Sequence, residues 1–164
     1  MAVNFTYVPI QTQTLTSNTN SVTFSSIPST YKDLVIVISA KVTSGSNLSM
    51  KLNGDTGTNY SATYLTGTGS GIGSTQYTNL NSGALDNYGY PDTSGFNITI
   101  ANVMNYANTN TYKSWLSRSN NPNNGLAALA GLWRSTSAIS NIQIFVSSNF
   151  VTGSTFTIYG IASA

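Results

Sequence analysis

Short runs of Val, Ile, Thr, Tyr and Phe recur along this chain, cut every few residues by Gly, Asn and Ser. Branched and aromatic side chains suit a pleated surface, and Gly and Asn accept the positive φ of tight turns, so the pattern specifies strands and hairpins. Strands are expected near 3–8, 11–16, 21–25, 33–41, 47–53, 60–66, 96–103, 112–118, 126–134, 140–147 and 154–161. Outside a Gly-rich middle their spacing is about 8–14 residues, which suits a sandwich or barrel. The segment 126–134 has the Ala and Leu content of a short helix, but Gly125 and Gly131 weaken one and favour a strand. Its Ala127, Ala128 and Ala130 are expected to mark close approach between layers.

A chain of 164 residues can bury one continuous core. The expected fold is all-β, a single antiparallel β-sandwich over residues 1–164, jelly-roll-like, with 1–20 as a possible N-terminal arm. Residues 34–38 are apolar at every position, as in a central strand covered on both faces. Phe96, Ile98 and Ile100 alternate with polar or small neighbours, as do Phe156 and Ile158. Together with Ile142 and Ile144 these residues are the expected core. Residues 67–95, which begin Gly67-Thr68-Gly69-Ser70-Gly71 and include Tyr77, Tyr88 and Tyr90, show little strand pattern and are expected to form a long loop.

Charge narrows the function. Only 6% of residues are charged, against about 25% in ordinary soluble domains. The acids are Asp33, Asp55, Asp86 and Asp92, and there is no Glu. Hydroxyl and amide side chains replace them, and such surfaces suit burial against neighbours, because interface cores are depleted in charge. The six cations are scattered, so no basic footprint for nucleic acid is present. No apolar stretch approaches the length of a membrane span. The N-terminal Met1-Ala2-Val3-Asn4-Phe5 lacks a basic region followed by an apolar one, so synthesis in a cytoplasm is expected. The sequons at Asn4, Asn47, Asn59 and Asn97 are expected to stay unmodified.

His and Cys are absent, so triads, thiol nucleophiles and the usual zinc sites cannot be assembled from this chain. Asp86 and Asp92 are the only close carboxylates, and turn formation is the ordinary use of Asp in such a segment. The glycine run misses the G-x-G-x-x-G spacing of a phosphate cradle. Asn53, Asp55 and Asn59 lack the bidentate Glu of a calcium loop and are expected to build a turn. No catalytic residue, metal or cofactor is expected. The candidate contact residues are Tyr60, Tyr64, Tyr77, Tyr88 and Tyr90, because Tyr offers large, rigid, amphipathic area at interfaces. Packing at the rim of the core is the plain alternative, since strands favour Tyr.

Three stretches are similar to a family of small bacteriophage virion proteins. They are Thr23-Phe24-Ser25-Ser26-Ile27-Pro28-Ser29-Thr30-Tyr31-Lys32-Asp33-Leu34-Val35, then Leu52-Asn53-Gly54-Asp55-Thr56-Gly57-Thr58-Asn59-Tyr60-Ser61, and last Gly131-Leu132-Trp133-Arg134-Ser135-Thr136-Ser137-Ala138-Ile139 with Phe150-Val151-Thr152-Gly153-Ser154-Thr155-Phe156-Thr157-Ile158-Tyr159-Gly160-Ile161. The likeness runs from about residue 20 to the C-terminus, while residues 1–20 match less well. It implies a virion component of a tailed phage, of the kind that decorates and cements capsids, commonly as a trimer. A cement protein binds the major capsid protein across several subunits and stabilises the shell. The resemblance also extends to tail-fibre or baseplate modules, in which the Tyr-rich segment would recognise a host-surface glycan. Those proteins normally carry a shaft or anchoring domain, and none is visible in this sequence.

Overall fold

The computed structural model describes residues 6–87 and 89–162. Twelve strands and no helix form among them: β1 (Tyr7–Thr14), β2 (Thr19–Phe24), β3 (Asp33–Ala40), β4 (Ser49–Leu52), β5 (Tyr60–Gly67), β6 (Ile72–Leu80), β7 (Gly83–Ala84), β8 (Asn97–Met104), β9 (Lys113–Asn121), β10 (Gly125–Trp133), β11 (Ile142–Phe150) and β12 (Thr155–Ile161). Every ladder is antiparallel. A large sheet has the order β1-β12-β3-β8-β9-β10-β5-β6, and a small one the order β2-β11-β4-β7. The chain is therefore an all-β sandwich of two unequal sheets.

Its core lies where the small sheet covers the large one. Leu34, Ile36 and Ile38 of β3 and Phe156 and Ile158 of β12 meet Phe24 of β2, Met50 and Leu52 of β4, and Ile142 and Ile144 of β11. Phe150 and Phe156 pack edge to face at 4.8 Å between ring centroids. The Asn53-Gly54 turn forms as its residues dictate, with φ of 52° and 70° and a hydrogen bond of 3.0 Å from Asp55 N–H to the Leu52 carbonyl.

Four expectations change. The two short N-terminal strands are one strand, β1, paired with β12, and residues 3–5 lie outside the described residues. Residues 7–14 thus belong to the sheet rather than to an arm. The loop expected over 67–95 contains β6 and β7. Strand β6 is solvent-exposed on both faces up to Leu80, so it has no apolar alternation to betray it. It forms because the turn after Gly67, with Gly69 at φ 78° and Thr68 N–H bonded to the Gly71 carbonyl, folds it back on β5.

The third change concerns the direction in which β8 faces. Phe96, Ile98 and Ile100 point away from the core, while Asn97, Thr99, Ala101 and Val103 point inward. Against β8 and β9 lie Ala84, Leu85 and Tyr90, whose backbone carbonyls need donors where they leave solvent. Trp115 Nε1–H donates to the Ala84 carbonyl (2.9 Å), Ser117 Oγ–H to that of Leu85 (2.5 Å), and Asn121 Nδ2–H to that of Tyr90 (2.9 Å). Asn97 Nδ2–H adds a second bond to the Tyr90 carbonyl at 3.2 Å. Polar side chains are drawn inward there, and the apolar set is turned out.

The fourth change is in β10. It is a strand, as expected, and Ala127 is buried, but Ala128 and Ala130 are exposed. Close approach occurs at Gly131, where a Cβ would lie 2.0 Å from Trp115 Cε2. The fully buried indole cannot retreat. Gly131→Ala should therefore lower stability by about 3 kcal/mol in urea unfolding. Gly95→Ala, where a Cβ meets nothing within 4 Å, should stay within about 0.5 kcal/mol.

Candidate functional site

The parity of β8–β10 builds an apolar surface on the outer face of the large sheet. Cross-strand register sets its rows. One row runs Val37, Ile100, Arg118, Ala128, Leu65 and Ser74, and the next Val35, Asn102, Leu116, Ala130, Thr63 and Gln76. A third holds Ile98, Asn120, Leu126, Gly67 and Ile72. Arg118 is the one charge on these rows. Exposure is high for side chains of this type: Ile72 97%, Leu65 62%, Leu126 60%, Leu116 54%, Phe96 50% and Ile98 40%. Single exposed apolar residues are ordinary, but a contiguous set on one sheet face makes this face the candidate interaction surface. A shallow depression of about 370 Å³ lies within it, lined by Ile98, Ile100, Leu126, Ala128 and the Arg118 side chain among others.

The four described tyrosines of the expected contact set do not lie on one exposed surface. Tyr60 is fully buried and stacked on Trp133 at 6.2 Å, and its hydroxyl accepts the Leu52 N–H at 3.1 Å. Tyr64 is buried and meets the half-exposed Tyr77 edge to face at 5.5 Å. Burial pushes the phenols of Tyr60 and Tyr64 up to about 12. Tyr90 is half-buried, with its ring over Gly45, and Tyr88 lies outside the described residues. Residue type singled out Tyr, whereas the apolar face is made of Ile, Leu and Ala whose orientation only the tertiary pairing fixes.

The carboxylates have separate structural surroundings. Asp55 receives Trp133 Nε1–H (2.6 Å), Asn59 Nδ2–H (2.9 Å) and Gly57 N–H (2.8 Å). Partial burial opposes ionisation, yet these donors hold its carboxyl below the ordinary value. The adjacent Asn53 uses Nδ2–H on the Ala138 carbonyl (2.8 Å) and Oδ1 on the Ser140 and Asn141 N–H groups (2.9 and 3.1 Å). The oxygens considered for calcium thus tie the Leu52–Tyr60 turn to neighbouring strands. Asp92 sits at a surface turn, where burial raises its carboxyl but bonds from Ser94, Asn123 and Asn121 lower it to about 2.

Asp86 is different. It is fully buried, its Oδ1 accepts the Leu48 N–H at 2.9 Å, and its Oδ2 has no hydrogen-bond partner. Burial pushes this carboxyl well above the usual range. It borders a cleft of about 330 Å³ with Tyr64, Tyr77, Asn47, Ser49 and Ser82. Lys113, also buried, spends its ammonium on the Thr111 and Thr136 carbonyls at 2.8 and 3.1 Å, and burial lowers its pKa. Among the described residues no three His, Cys, Asp or Glu side chains converge as metal ligands. No protein-family model matches the chain, and no curated protein matches it.

The Asp86 carboxyl fixes the sign of a pH effect. Its folded pKa is raised, so the folded state holds a proton that the unfolded chain releases above about pH 4. Its contribution is therefore fully present below the unfolded value and declines as pH rises toward the folded one. Asp86→Asn removes that decline. Urea unfolding between pH 4 and 8 should show the variant gaining on the parent protein with rising pH, by up to about 1.4 kcal/mol per unit. Parallel stability profiles would show that Asp86 is ionised in the fold.

Proposed function

We propose that the protein is a structural subunit of a tailed-phage virion, a capsid cement protein that binds across major capsid subunits. The observation that carries this reading is the outer face of the large sheet, where Ile98, Ile100, Leu116, Leu126, Ala128 and Leu65 lie on neighbouring strands with Arg118 as the one charge on their rows. Such a face has favourable free energy to gain from being covered, and a contact with little charge is insensitive to salt. A binding role is favoured over catalysis because the sequence lacks His, Cys and Glu and its carboxylates are used in turns and core. No basic footprint favours nucleic acid, and no helix of the described residues is long and apolar enough to cross a membrane.

Strand order supports a jelly-roll reading. With the β9–β10 hairpin set aside, β2-β11-β4-β7 and β3-β8-β5-β6 follow the order of the two four-stranded halves of an eight-stranded jelly roll. The hairpin then widens one half, and β1 and β12 extend it at the other end. The similarity of the sequence to small virion proteins points the same way.

A second reading is a tail component that recognises a host-surface glycan. The cleft lined by Tyr64, Tyr77, Asn47, Ser49 and Ser82 favours it, because an aromatic wall beside amide and hydroxyl groups suits a hydroxyl-rich ligand. Icosahedrally averaged cryo-electron microscopy of purified virions separates the two. The cement reading predicts density for this sandwich at three-fold or quasi-three-fold positions over the whole shell. A bare shell with copies only at the tail would overturn it in favour of glycan recognition.

A further inference from the structure

The two edges of the large sheet are finished differently. Strand β1 closes its side: Pro9 removes a donor, and a register shift interrupts the ladder between Pro9 and Gln11. Its side chains also bridge to the small sheet, with Gln11 Nε2–H on the Ser25 carbonyl (2.8 Å) and Gln13 Nε2–H on that of Thr23 (2.9 Å). Strand β6, at the opposite edge, has none of these devices over residues 72–78. That run contains no charge and no proline, and its register with β5 is unbroken from Ile72 to Tyr77. A shift near Asn79, whose φ is 56°, ends the regular stretch. Both faces of the run are exposed, and among the described residues its outer edge faces no other strand.

We propose that β6 pairs antiparallel with β6 of a second copy across a two-fold axis, joining two large sheets into one. The register follows from geometry. An antiparallel two-fold stands perpendicular to the sheet and keeps each side chain on its own face, so one residue must lie opposite itself. Centring on Thr75 uses the whole run and sets Thr75 against Thr75, Ser74 against Gln76, and Gly73 against Tyr77. Each pair is favourable: a hydroxyl pair, a polar pair, and an aromatic ring over an edge glycine. Because the run is uncharged, self-pairing opposes no like charges. The axis also places both outer apolar faces on the same side, so the dimer presents a doubled surface. The pairing is a property of the chain itself and does not depend on the virion reading; on a shell the two-fold would join copies that stand at neighbouring three-fold positions.

Sedimentation equilibrium of the full chain at micromolar concentration, with Thr75→Lys and Thr75→Glu variants, tests the pairing. The parent chain is expected to be a dimer. Each variant places like charges against each other at the axis and should raise the dimer dissociation constant roughly 100-fold. Mixing the two variants should restore a heterodimer. Thr75 is exposed, so circular dichroism and urea midpoints should match those of the parent. A monomeric or trimeric parent chain, a dimer indifferent to both charges, or two monomeric variants that fail to associate when mixed would each overturn the proposal.

Discussion

The bonds from β8 and β9 to the carbonyls of Ala84, Leu85 and Tyr90 set the character of half the molecule. Asn97, Trp115, Ser117 and Asn121 each donate to a carbonyl of Ala84, Leu85 or Tyr90. An unpaired buried carbonyl costs about 1–3 kcal/mol, so satisfying these three, of which that of Leu85 is fully enclosed, competes with the gain from burying one or two apolar side chains. Side chains alternate along a strand, so satisfying those carbonyls turns Ile98, Leu116 and Arg118 outward. Register with β10 and β5 then lines up Leu126, Ala128 and Leu65 beside them. The apolar outer face is a consequence of how the inner face is satisfied.

Much of the fold was legible in the residues. Runs such as 34–38 and the alternation at Phe156 and Ile158 name their strands because burial and β propensity act together there. Periodicity, however, reveals that a strand alternates without saying which side is in. On β8 the larger apolar side chains face out and the smaller or polar set faces in, so the usual inference reversed. Strand β6 was hidden for a related reason: with both faces in solvent, nothing selects apolar residues at every second position. Among the tyrosines, residue type could not distinguish Tyr60, stacked under Trp133, from Tyr77 at the surface. The apolar outer face was missed because its membership follows from bonds to Ala84, Leu85 and Tyr90, far from β10 in sequence.

The scarcity of charge takes on a meaning in three dimensions. Acidic side chains near the core are held by named donors, as at Asp55, or buried, as at Asp86. The outer face keeps one guanidinium, and the β6 edge has no charge to repel another strand. Ordinary soluble sandwiches guard such edges and faces with Lys or Glu. A chain that protects β1 with Pro9 and a bulge but leaves β6 uncharged and the adjoining face with only Arg118 on its apolar rows is suited to permanent neighbours.

Charge placed on the outer face tests the central claim most directly, that this surface is a contact and not part of the core. Leu116→Lys combined with Leu126→Lys can be supplied in trans during infection, with copies per purified particle counted and urea unfolding of the isolated protein measured alongside. The account predicts stability within about 1 kcal/mol of the parent and loss of the protein from particles. Full incorporation with unchanged stability, or a protein that no longer folds, would contradict it.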